Sequence, residues 1–371
     1  MDNRDTIIQE AVNKIFNIPS DNYIFIYTPP KVGSTTLVSS LRISLLESFR
    51  IIHIHDDIML GVLTGIKNVT VNEIIQFLAQ QGRNVYVIDV YRTPIERKMS
   101  EFFEKISIYH FNNLEMDMNK YSTKRISDRF NSLFPYLANG EHYFDKYDLE
   151  SPLPFDFVNN YTLQIHNKVN YIKLRLKDAK NWGNTLSSIF KRDVVIINDY
   201  LTNDKSIAEI YNRFKADYKL PLNYYNLIKD CEYMKFYLSD DERNSYLEQY
   251  SNRLGPEYTP YTQMEYDFYI RLCLENQFVD DIQGEHYIDE GCTCQACKIE
   301  RSKLFDMLKK GIKTNKRIKH SYFLEKSQSG KSGINLIKCK LTNPVTLRIV
   351  KNRAKYGENH DMSHIINTRK L

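Results

Sequence analysis

Residues 23–37 read Tyr23-Ile-Phe-Ile-Tyr27-Thr-Pro-Pro-Lys31-Val-Gly33-Ser34-Thr35-Thr36-Leu37. A short apolar, β-prone run enters a turn that holds a lysine and a glycine, and a helix opens on three hydroxyl residues. Leu37, Leu41, Leu45 and Leu46 then recur on one face of a helix predicted over 34–48. A helix N-terminus carries unpaired N–H groups and a partial positive charge. Gly33 lets the backbone approach a ligand, Ser34, Thr35 and Thr36 add hydroxyl donors, and Lys31 adds a full charge. This combination is a cradle for a phosphate or sulfate group. The simpler alternative is a tight strand-to-helix turn with an N-cap.

Outward from this loop, β-prone runs fall at 50–54 (Arg-Ile-Ile-His-Ile), 85–91 (Val-Tyr-Val-Ile-Asp-Val-Tyr) and 194–198 (Val-Val-Ile-Ile-Asn). Helices are expected at 71–81, from Pro94 to about residue 106, and from Ser206 to Tyr218. Apolar strands alternating with helices predict an α/β fold with a parallel sheet covered on both faces. The stretch 107–190 reads as helix with loops, and 231–278 as helix rich in tyrosine. At 279–291 the chain turns acidic and polar, a boundary between a core at 1–278 with a helical subdomain and an extension at 279–371.

Composition narrows the classes. The chain has 371 residues, 42% hydrophobic and 26% charged, the balance of a folded globular protein. No apolar window is long enough for a membrane span, and the N-terminus lacks a basic region followed by an apolar one, so a cytoplasmic protein is expected. The net charge of +5 is unevenly spread: residues 298–371 carry 19 Lys/Arg against 5 Asp/Glu, a net +14, and the remainder is −9. That extension would attract an anionic partner or stand as a solvated tail. Its few aromatics (Phe305, Tyr322, Phe323, Tyr356) rank nucleic acid below an acidic glycan or a nucleotide as that partner.

The loop is not a Walker A motif, because the lysine precedes the glycine. Gly330-Lys331-Ser332 comes near that pattern, but position 325, where its first glycine belongs, is Glu. A strand followed by Pro-Lys-x-Gly-Ser/Thr-Thr and a helix instead resembles the 5′-phosphosulfate loop of sulfotransferases that use 3′-phosphoadenosine 5′-phosphosulfate (PAPS). The family's second signature, an Arg at the end of the third core strand and a Ser eight residues later, matches Arg92 and Ser100, with Pro94 and Arg97 also in place. Thr93 departs from the Asp that is more usual there. The resemblance covers about residues 20–230, is closest to glycan and capsular-polysaccharide enzymes, and is specific only in the two motifs.

That resemblance implies a P-loop-NTPase-like core that transfers a sulfuryl group from PAPS to a carbohydrate hydroxyl without a metal. Lys31, Gly33, Ser34, Thr35 and Thr36 would hold the 5′-phosphosulfate, and Arg92 and Ser100 the 3′-phosphate of PAPS or of its product PAP. An Arg fork suits a phosphate. The acceptor must lose a proton, which needs a base. His53 and His55 point to one side of a strand. Relatives with His-x-His at this place imply His55 as base, with His53 in support; Asp56, Asp57 or a later Glu stay open as alternatives. Lys31 would also stabilise the leaving oxygen. Lys331, in the glycine-bearing basic loop 327–333, is the candidate for closing over the nucleotide.

His286, Cys292, Cys294 and Cys297 lie within 12 residues and offer a structural zinc set, with Cys339 or His320 as further ligands; free thiols or a labile disulfide are the alternatives. Two rival functions stand beside the transferase: an ATP-dependent kinase, which needs Mg²⁺ and an acidic ligand, and a non-catalytic anion-binding module.

Overall fold

The computed structural model describes residues 3–275, apart from 17, 111–117, 135–146, 148, 150–154 and 198–205, together with parts of 299–312. It is a mixed α/β structure built on a five-stranded, mostly parallel sheet with helices on both faces.

The chain opens with helix α1 (Asn3–Ile15), which the sequence reading did not assign. Strand β1 (Asn22–Tyr27) is apolar on both sides, as a central parallel strand must be. Helix α2 (Ser34–Leu45) leads to β2 (Arg50–Ile54). Helices α3 (Asp57–Thr64) and α4 (Val71–Gln80) lead to β3 (Asn84–Tyr91). A capping box between Thr70 and Glu73 fixes the start of α4. β1 pairs in parallel with β2 on one side (Ile24 opposite Ile51) and with β3 on the other (Ile24 opposite Tyr86).

The crossovers lie on opposite faces. Leu37, Val38, Leu41 and Leu45 of α2 pack against Ile24, Ile26, Ile88 and Val90. Ile74, Ile75 and Leu78 of α4 pack with α1 against Phe25, Tyr27 and Val87. The chain therefore winds to one side of β1 over one face and to the other side over the other. The carboxyl end of β1 is a topological switch point, where open α/β sheets form a ligand crevice.

Beyond β3 come α5 (Pro94–Glu104), α6 (Ile106–Tyr109) and α7 (Thr123–Leu133). Then β4 (Thr162–His166) and β5 (Val169–Arg175) form a hairpin. β5 pairs in parallel with β3, and β4 closes the edge in antiparallel sense, giving the order β2-β1-β3-β5-β4. The hairpin turn is Asn167-Lys168, both with positive φ (47° and 64°), the I′ geometry that matches strand twist. These two strands correct the expectation of helix and loop across 107–190.

The 194–198 strand is corrected as well. Residues 193–197 belong to no strand; they follow α8 (Trp182–Phe190) and lie over α2. Their N–H groups are taken by helix hydroxyls: Val194 donates to Ser187 Oγ at 2.8 Å, Val195 to Ser44 Oγ at 3.0 Å and Ile197 to Ser40 Oγ at 3.0 Å. An apolar run thus satisfies its backbone without a sheet neighbour.

Most of the remaining described chain is helical: α9 (Ala208–Asp217), within the helix expected at 206–218, α10 (Leu222–Lys229), α11 (Glu232–Tyr237), α12 (Asp240–Ser251) and α13 (Gln263–Glu275). Within the stretch 231–278 read as helix, residues 252–262 are not helical and Leu254–Gly255 pairs in parallel with Leu220–Pro221, while 276–278 lie outside the described residues. These helices share one aromatic core with α5–α7, centred on Phe102, Phe103, Phe130 and Phe214. Arg175 ties this layer to the sheet, donating to the Tyr237 carbonyl at 3.1 Å and to Glu242 at 2.8 Å. Among the described residues no helix is long and apolar enough to cross a membrane.

Candidate functional site

The loop between β1 and α2 makes two left-handed steps. Lys31 has φ 67° and Gly33 φ 87°. The first is uncommon for a residue with a side chain; the second favours glycine through its left-handed φ, and a Cβ there would also stand 2.7 Å from Leu176 Cδ1 and 3.4 Å from Trp182. Val32, between them, is buried in the core beneath. The first turn of α2 follows, with Ser34 buried, Thr35 and Thr36 half-buried, and no side chain capping the helix from Gly33.

Three neighbouring elements bond to this loop. From the residue that follows β3, Arg92 Nη1 donates to the Lys31 carbonyl at 2.7 Å. One of five guanidinium donors is used in this bond. From the end of β2, His55 Nδ1 lies 2.7 Å from the Thr28 carbonyl. A carbonyl only accepts, so Nδ1 carries the proton and Nε2 is the lone-pair nitrogen of the neutral ring. From α5, the Glu104 carboxylate sits 2.9 Å from Lys31 Nζ.

The histidines form a pair. His53 is buried, and its ring meets that of His55 edge to face at 4.4 Å. Burial, then the neighbouring His55 and Arg42, hold His53 well below the ordinary 6.5. Burial also lowers His55, against the opposing pull of the Thr28 carbonyl, Asp56 and Glu104. Both rings are therefore neutral near pH 7, and His55 can accept a proton.

Asp56 and Asp57 have other work. Asp56 caps α3 by accepting from Met59 N at 2.7 Å, and Asp57 accepts from Val71 N at 2.8 Å at the head of α4. Ser100 is buried on α5, one turn before Glu104 and on the same face.

Below the loop lies a cluster that the sequence reading did not single out. Thr28, fully buried, donates through Oγ1 to Asp89 Oδ1 at 2.8 Å and accepts from Val90 N at 3.0 Å. Asp89 also pairs with Lys173 of β5, whose ammonium lies 4.6 Å from the Tyr237 ring. Burial disfavours the charge on Lys173, but Asp89 and Tyr237 outweigh it and raise the lysine above its ordinary range. The signal was present as Asp89, the one charged residue of β3. Glu104 had no signal beyond its place on a helix.

Lys331, His286, Cys292, Cys294 and Cys297 lie outside the described residues, as do Cys339 and His320. Among the described residues no group of three His, Cys, Asp or Glu is placed to hold a metal ion. The chain matches no protein-family model, no curated protein and no solved structure.

Proposed function

We propose that the chain is a PAPS-dependent sulfotransferase with a P-loop-like core, acting on a hydroxyl of a carbohydrate-class acceptor. The observation that carries this reading is the convergence on one loop: Arg92 and His55, which follow the strands on either side of β1, both bond its backbone, beside Lys31 and the start of α2. Cationic donors, helix N–H groups and a neutral base meet at one switch point.

The donor, when bound, supplies a sulfuryl group on a phosphate leaving group. Lys31, Gly33 and Ser34–Thr36 fit the oxyanion, because the glycine and the helix N-terminus offer backbone N–H groups and Lys31 offers charge. Arg92 and Ser100 hold the second phosphate. His55 Nε2 takes the acceptor proton as the acceptor oxygen bonds to sulfur. Lys31 stabilises the oxygen that receives the electron pair of the broken S–O bond. Asp56 and Asp57 are engaged in caps, which favours His55 over them as base. The kinase reading needs a carboxylate for Mg²⁺ at the loop. Asp89 is committed to Thr28 and Lys173, and Asp56 and Asp57 to the starts of α3 and α4, so no observation favours it.

The test is PAP affinity in a Lys31→Ala, Arg92→Ala double variant. Two charge-assisted contacts are removed, so binding should weaken by at least about 100-fold. Full retention of PAP affinity would end the proposal.

A further inference from the structure

Glu104 is the last residue of α5, where the helix dipole disfavours a carboxylate, yet it stands 2.9 Å from the loop lysine. The Lys31 side chain is 14% exposed and that of Glu104 33%, so the pair is within reach of solvent. It also shares its helix face with Ser100. Lys31 is held in a left-handed backbone conformation, and Arg92 pins its carbonyl, so the ammonium is aimed by the loop. A carboxylate oxygen there stands where an oxygen of a bound phosphate or sulfate group would stand.

We propose that Glu104 is an internal anion: in the unliganded protein its carboxylate takes the Lys31 contact that a ligand oxyanion needs, and ligand binding displaces it. The proposal rests on the reading that the loop binds an oxyanion, and makes Glu104 a determinant of how tightly. Occupancy of the loop also reaches the base. His55 faces His53, Asp56, Lys31 and Glu104; beneath the dominant effect of burial, Lys31 lowers its proton affinity and Glu104 raises it. An anion that screens Lys31 and the departure of Glu104 act on the His55 proton affinity in opposite senses.

The experiment is calorimetric titration of the full chain and its Glu104→Gln variant with inorganic sulfate and, separately, with PAP. A competitor is removed, so both ligands should bind about two- to fivefold more tightly to the variant, the range expected of one partly exposed ion pair. Unchanged or weaker binding to the variant, with normal binding to the parent, would overturn the proposal and leave the loop reading intact. Failure of both proteins to bind either ligand would overturn both. If Glu104→Gln does not fold, Glu104→Asp, one methylene shorter, should show a smaller tightening in the same direction, and weaker binding there would overturn the proposal equally.

Discussion

Replacing Thr28 with valine removes one oxygen from the foot of the loop and changes little else in shape. In the native protein that oxygen donates to Asp89 at 2.8 Å and accepts from the Val90 N–H at 3.0 Å, in a position with no solvent exposure. The variant loses a hydrogen bond to a charged group and leaves a buried N–H without this partner. Each loss costs about 1–3 kcal/mol, so the sum should be roughly 2–6 kcal/mol. Urea denaturation at pH 7.5 measures it as a lower midpoint at constant slope. The bond from His55 to the Thr28 carbonyl involves only backbone on the Thr28 side, so the imidazole ¹⁵N shifts of His55 should keep the Nδ1–H tautomer. Thr28→Ser, which retains the hydroxyl, should recover most of the stability. A valine variant within about 0.5 kcal/mol of the parent would refute the idea that Thr28 and Asp89 bolt β1 to β3, since surface-like changes fall in that range.

Asp89→Ala strands the buried Lys173 ammonium and should cost about 3–5 kcal/mol in the same denaturation assay; a loss below about 1 kcal/mol would mean that Lys173 finds water. His53 and His55 are held below the ordinary 6.5 and His110 is pushed down to about 3, in each case mainly by burial. Below pH 6.5 the unfolded chain binds protons that the native one refuses. Stability should therefore fall by about 2 kcal/mol for each strongly lowered histidine between pH 7.5 and 5, and flat denaturation midpoints over that range would contradict their buried, neutral state. Gly33→Ala forces a side chain into φ 87° and against Leu176, whose methyl end can swing aside. It should cost about 2–3 kcal/mol and weaken PAP binding, and an unchanged melting temperature would argue against the left-handed loop.

Legibility in the sequence followed the strength of local signals. Strand 22–27, its loop, α2, β2 and β3 stood out because apolar runs, Gly33 and Pro94 mark their own boundaries. The β4–β5 hairpin did not. Its turn places Lys168 where glycine normally marks the I′ geometry, and β4 is a half-exposed edge strand with no apolar run. The 194–198 segment misled in the other direction, because β-branched residues record burial and not pairing; serines on α2 and α8 supply what a neighbouring strand would have. Within the site, Lys31 was readable from its strand–turn–helix setting, and Arg92 and the two histidines were singled out by the family resemblance. Glu104 and Lys173 were not, because their roles come from partners 73 and 84 residues away.

The most direct test of the central claim is a calorimetric titration of the purified chain with PAP, and in parallel with ATP and GTP, each with and without Mg²⁺. The account predicts selective binding of PAP that does not change when Mg²⁺ is omitted. Binding of ATP with Mg²⁺ and none of PAP would contradict it and make the loop the phosphate site of a kinase.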